Sequence, residues 1–150
     1  MDTEKERQDH LPVIWQLPDR LILGCAPPVI DDAFAIYANK LVVDALNSAK
    51  TFQVVVMIDC ANMTQVKLSP SVILRSQSYL KHPRLGAFIA YNVPMQRLLY
   101  VESVFRLFSK IARRHYHVTA DEISALAYLR QHDLLGEDEL LGGLTASACT

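Results

Sequence analysis

The chain has 150 residues, 51% hydrophobic and 21% charged, with a formal net charge of −1. This is the composition of one globular unit with a sizeable core. It excludes a disordered chain, and no apolar run approaches the ~20 residues of a membrane helix.

The charge is uneven. Residues 60–119 carry nine Lys and Arg against one acid, Glu102, whereas 1–10 and 131–150 are net acidic. A basic middle favours anionic ligands or acidic partners, although the charges are spread over helices as on a solvated surface. Met1–His10 lacks the apolar core of a signal peptide, so cytoplasmic residence is expected. Cys25, Cys60 and Cys149 form no CxxC pair and are odd in number. Cys25 and Cys60 are therefore expected as buried free thiols at strand ends.

In chain order, residues 1–10 read as a flexible arm. Leu11–Trp15 and Leu21–Cys25 are short apolar runs around the turn residues Pro18-Asp19, which predicts a hairpin. Asp31 or Asp32 opens a helix running to about Lys50, with Phe34, Tyr37, Ala38, Leu41, Val42, Ala45 and Leu46 on one face. Phe52–Ile58 is almost continuously apolar and β-branched, as in a central parallel strand buried on both faces. It ends on Asp59. A linker, Cys60–Leu68, leads to Ser69 as N-cap and Pro70 as first helical residue of a helix reaching Leu80, which His82-Pro83 stops.

Gly86–Tyr91 is a second buried strand. Asn92–Pro94 turns into a long helix, Met95 to about Ala112, with Arg113 and Arg114 at its C-terminus. His115–Val118 is a short strand. Thr119 and Glu122 have the spacing of a capping box for a last helix ending near His132. Residues 136–150 read as a loose tail with at most one helical turn, Glu137–Leu141. This order predicts an α/β fold: a mixed, mostly parallel sheet with an N-terminal hairpin and about four helices. A single domain spans 11–135.

A carboxylate at a strand end followed by a hydroxyl at a helix mouth is where parallel α/β proteins place sites. The candidate binding residues are therefore Asp59, Asn62, Thr64, Lys67, Ser69 and Ser71. Ser69 could carry a phosphate, with Lys67 near it; its plainer role is to cap the helix. Asp59 could equally accept hydrogen bonds from the linker in an Asx turn. His115 and His117 share one face of a strand, and a zinc site would need a further ligand such as His82 or His132. No paired carboxylates, G-x-S-x-G elbow or glycine-rich phosphate cradle is visible. Neither an enzyme nor a cofactor or metal is expected.

The helix from Met95 is unusually apolar. Leu98, Val101, Val104, Phe105, Leu107, Phe108 and Ile111 cover roughly half its circumference. Met95 and Leu99 extend the arc. An interface through Met95, Leu98, Leu99, Val101, Phe105 and Phe108 is one explanation, with a homodimer as its concrete form. Cover by Leu134, Leu135, Leu140 and Leu141 is the other.

Two ordered sets carry a family resemblance. Val54–Asp59, Cys60–Leu68 and Ser69 form a strand ending in Asp, a linker and a helix-opening Ser. Gly86–Tyr91, Asn92–Pro94, Met95–Ala112, His115–Val118 and Thr119–Glu122 follow in the matching order. Over residues 11–132 the chain resembles the STAS domain, the SpoIIAA-like fold of bacterial anti-sigma-factor antagonists. The resemblance implies a non-enzymatic regulatory or scaffolding module in signal transduction, with Ser69 at the phosphorylatable position. It implies a protein partner such as an anti-sigma factor or a kinase-like regulator. The alternative expectation is a small-ligand sensor, holding an apolar or anionic ligand between the 69–80 and 95–112 helices. Nucleic acid is not expected, since basic and aromatic residues do not interleave on one strand face.

Overall fold

The computed structural model describes residues 14–17, 19–51, 53–75, 78–111 and 115–138. The arm at 1–10, the residues at 11–13, Pro18, Phe52, the residues at 76–77, Ala112–Arg114 and the chain from 139, with Leu140, Leu141 and Cys149, lie outside the described residues. So does the side chain of Phe108.

The fold is α/β. The elements are β1 (Ile14–Leu17), β2 (Leu21–Cys25), β3 (Val29–Asp31), α1 (Asp32–Ser48), β4 (Val54–Asp59), β5 (Gln65–Lys67), α2 (Pro70–Arg75), a 3₁₀ turn (Ser78–Lys81), β6 (Leu85–Tyr91), α3 (Met95–Ile111), β7 (His115–Val118) and α4 (Glu122–Gln131). Five strands form one sheet in the order β1-β2-β4-β6-β7. Only the β1–β2 hairpin is antiparallel; the other three pairings are parallel. The hairpin turns at Asp19, whose φ of 61° is a conformation Asp tolerates better than most side chains. Its carboxylate accepts from Lys50 N–H at 3.0 Å and its carbonyl from the Thr51 hydroxyl at 2.6 Å.

The apolar run in β4 is buried on both sides because the sheet is covered on both sides. Ile22, Val56 and Phe88 lie under Val42 and Leu46 of α1 and Val104 and Phe105 of α3. On the opposite face, Leu23, Met57 and Ile89 pack with Ala125 and Leu129 of α4 and with Leu134 and Leu135. The two leucines after α4 therefore do not cover α3; they sit across the sheet from it. Asp31 is the N-cap of α1, accepting from Phe34 N–H at 2.8 Å. At the other end, the Arg84 guanidinium donates to the carbonyls of Leu46 and Asn47. A cation there complements the helix dipole, and the sequence of α1 supplies none in its last turn.

Four expectations change. The linker after Asp59 is not free of structure: β5 pairs in parallel with β3 as a separate two-stranded ribbon. The Thr64 and Gln65 N–H groups share the Pro28 carbonyl, at 2.7 and 3.0 Å. Three-residue strands carry too little pattern to be read locally. The helix expected at 69–80 is instead α2 followed by the 3₁₀ turn. The turn is held from outside, with Asn39 accepting from Tyr79 N–H at 3.1 Å and Tyr116 donating to the Leu80 carbonyl at 2.7 Å.

The cap of α4 is Asp121, accepting from Ser124 N–H at 2.6 Å, and not Thr119. Thr119 is still engaged with the sheet, donating to the Ala90 carbonyl and accepting from Val93 N–H, so it cannot open a helix. Finally, Cys60 is a buried free thiol as expected, but Cys25 is disulfide-bonded, with its partner outside the described residues. Spacing alone does not expose a pairing between distant cysteines.

Candidate functional site

The register of the sheet sets the site. Ile22, Val56, Phe88 and Tyr116 lie side by side at one level, and their side chains fill the space beneath α1 and α3. Two residues further along, the same face presents Gly24, Ile58, Ala90 and Val118. Gly24 and Ala90 have almost no side chain, and α1 contributes Ala35 and Ala38 to the same space. Small residues on both walls leave a cavity of about 150 Å³ between α1, α3 and the sheet.

Ile30 of β3 and Val66 of β5 line it, so the unforeseen ribbon forms part of its wall. Three rings stand at another wall, with centroid separations of 5.3 Å for Tyr79–Phe88 and 5.3 Å for Phe88–Phe105. Tyr100, 45% exposed, is the lining residue most open to solvent.

Among the described residues the lining contains no Asp, Glu, Lys, Arg or His. Its two enclosed titratable groups stay protonated. Burial, then the nearby Asp59 charge, pushes the Cys60 thiol up to about 12. It is no nucleophile, since only a thiolate attacks. Burial, and then proximity to Tyr116 and Cys60, holds the Tyr79 phenol well above its ordinary range. The cavity is neutral and apolar.

The residues singled out in the sequence take other positions. Asp59 is buried between Ile58 and Cys60 and is not part of the lining. Its carboxylate accepts from Ala61 N–H at 2.9 Å, an Asx turn, and from the Asn92 amide at 3.3 Å. Asn62 is exposed. The Thr64 hydroxyl donates to the Pro28 carbonyl at 2.9 Å. Lys67 is exposed on β5, opposite Asp31. Ser69 caps α2, its hydroxyl 3.4 Å from Val72 N–H and 3.4 Å from the Ser71 hydroxyl. The Ser69 N–H donates to the Asp32 carboxylate at 2.8 Å. A negative group already stands at that helix mouth.

The structure divides the six residues of the expected interface. Met95 and Leu99 are 71% and 77% exposed. Val101 and Phe105 line the cavity, and Leu98 packs inward beside Ala90 and Val93. The sequence reading missed Gly24, Ala35, Ala38, Ala90 and Tyr79 as site residues. Its only signal was the small residues inside otherwise bulky apolar faces.

A second cluster joins β7 to α4. His117 stacks on Tyr128 with centroids 4.1 Å apart and planes 8° apart, His115 meets the Tyr128 hydroxyl at 3.1 Å, and His132 lies 5.0 Å from His115 ring to ring. No group of three or more metal-ligand side chains suited to an ion exists among the described residues.

Both strand histidines are held below the ordinary value of 6.5, by burial first and then by His132, with Glu102 opposing at His117. His82 is depressed too, by burial and Arg84. The folded state therefore binds fewer protons than the unfolded chain once the pH falls below about 6.5. Stability from these groups is complete above that value and is lost on further acidification. The melting temperature should hold steady from about pH 8 to 7 and decline from about pH 6.5 to 5. Replacing His115 and His117 together by Gln should flatten the decline.

No protein-family model, curated protein or solved structure matches this chain.

Proposed function

We propose that the protein is a non-catalytic sensor module that binds a small apolar molecule in the cavity between α1, α3 and the sheet. The observation that carries this reading is the cavity itself. It is an apolar cleft of about 150 Å³, partly open to solvent beside Tyr100. Its apolar lining faces water when empty and is covered when a small apolar molecule enters, which favours binding. Engineered apolar cavities of this size accept benzene-sized molecules. The neutral thiol and phenol in the lining support binding over covalent chemistry.

The order of elements around Asp59 and Ser69 supports a STAS-like regulatory relationship. In that setting an occupied cavity would signal through α3, which lines it with Val101 and Phe105 and presents Met95 and Leu99 to solvent. Thermal unfolding with increasing toluene tests the reading. A ligand at 100 times its Kd stabilises by about 2.7 kcal/mol, so the melting temperature should climb with toluene concentration. A flat response over that range contradicts it.

A second reading, self-association through the outward row of α3, is favoured by the exposure of Met95 and Leu99. Leu99→Glu should change stability by no more than about 0.5 kcal/mol and convert any dimer seen by light scattering to monomer. A wild-type protein that is monomeric at high micromolar concentration removes this reading.

A further inference from the structure

The cavity also constrains the chemistry of its ligand, once it is taken as a ligand site. We propose that it selects a neutral, ring-sized molecule carrying one hydrogen-bonding oxygen, and that the Tyr79 hydroxyl is the group that recognises that oxygen.

Three observations converge. No charged side chain lines the cavity among the described residues, so an ionised ligand would lose hydration there without gaining a counter-ion from them. Tyr79, Phe88 and Phe105 form a continuous aromatic wall, with interplanar angles of 45° and 49°. Tilted rings of this kind make favourable edge and face contacts with a further ring.

The third observation is the state of the polar groups. The Cys60 thiol is directed to the Ile58 carbonyl at 3.7 Å, and the neighbouring Tyr116 hydroxyl donates to the Leu80 carbonyl at 2.7 Å. Tyr100 opens to solvent. Tyr79 is half-buried and lines the cavity, and burial is the main cause that holds its phenol above the ordinary range. That hydroxyl has no hydrogen-bond partner among the described residues; the one bond of Tyr79 there is made by its backbone N–H to Asn39. A half-buried hydroxyl without a protein partner gains a hydrogen bond when a ligand oxygen meets it.

The test uses the full chain and three probes: toluene, phenol and benzoate. Toluene and phenol differ by a methyl-for-hydroxyl exchange at nearly constant shape. Titrations followed by calorimetry should show binding of toluene and phenol and none of benzoate. Tyr79→Phe keeps the ring against Phe88 and removes only the oxygen. It should weaken phenol by about tenfold, the worth of one buried hydrogen bond, and leave toluene within about twofold. If neither toluene nor phenol binds the wild type, the cavity is not a ligand site and the proposed function fails. If toluene binds but Tyr79→Phe leaves phenol unaffected, the function stands and the role of Tyr79 is overturned. Benzoate binding as tight as phenol overturns the neutral class.

Discussion

Ala38→Leu leaves the protein folded and weakens toluene binding more than tenfold. Ala38 lies on α1 and lines the cavity, and Leu is nearly as good a helix former as Ala. Three added carbons buried at about 0.8 kcal/mol each contribute roughly 2 kcal/mol. The open cleft has room for them, so little strain opposes this gain, and the unfolding free energy should equal wild type or exceed it by up to about 2 kcal/mol. The ligand loses that same space, because a Leu side chain there takes the volume a ring would occupy. Toluene affinity should fall by more than tenfold, measured by calorimetry. Ala90→Val, on the floor of the cavity in β6, should weaken binding in the same direction without touching α1. Unchanged toluene affinity in both variants would mean that toluene binds elsewhere.

Asp59→Ala produces the opposite pattern, lower stability with ligand affinity preserved. The Asp59 carboxylate is buried and accepts from Ala61 N–H and the Asn92 amide. Asn92 itself sits at φ 55°, so this contact helps hold a backbone conformation of higher energy at the start of the loop into α3. Removing the buried carboxylate loses two charge-assisted hydrogen bonds to partly exposed donors, at about 1 kcal/mol each. Urea unfolding should show a loss of roughly 2 kcal/mol. Because Asp59 does not line the cavity, toluene should bind the folded variant within about twofold of wild type. If Asp59→Ala removes binding while stability is unchanged, the carboxylate belongs to the site after all and the account of the cavity needs revision.

How far the sequence carried the argument follows from the range over which each signal acts. The continuous β-branched run of β4, the helix start at Asp31 or Asp32 and the hairpin around Asp19 are local patterns, and each predicted its element. The mostly parallel sheet followed from the alternation of strands and helices. The β3–β5 ribbon and the 3₁₀ turn at Ser78–Lys81 are held by contacts some 35 to 40 residues away in sequence. No short window contains them. Thr119 shows the same limit: its spacing to Glu122 suits a capping box, but its backbone is committed to β6 and the loop before α3.

The site was half legible for a related reason. Asp59 and Ser69 stand at the strand end and helix mouth that their neighbours predict, yet their partners, Asn92 and Asp32, come from other elements. The excess apolarity of α3 was visible, but not which side used it. Val101, Val104 and Phe105 face the cavity, while Met95 and Leu99 face solvent. The cavity itself depends on Gly24, Ala90, Ala35 and Ala38 meeting across two strands and a helix. Only the register of the sheet brings them together.

The most direct measurement is the location of bound toluene by intermolecular nuclear Overhauser effects in the full chain. The account predicts contacts from the toluene ring to the methyl groups of Ala35, Ala38, Ala90 and Val101, which line the cavity on three elements. Contacts confined to Met95 and Leu99 on the outward row of α3, or no contacts at saturating toluene, would contradict it.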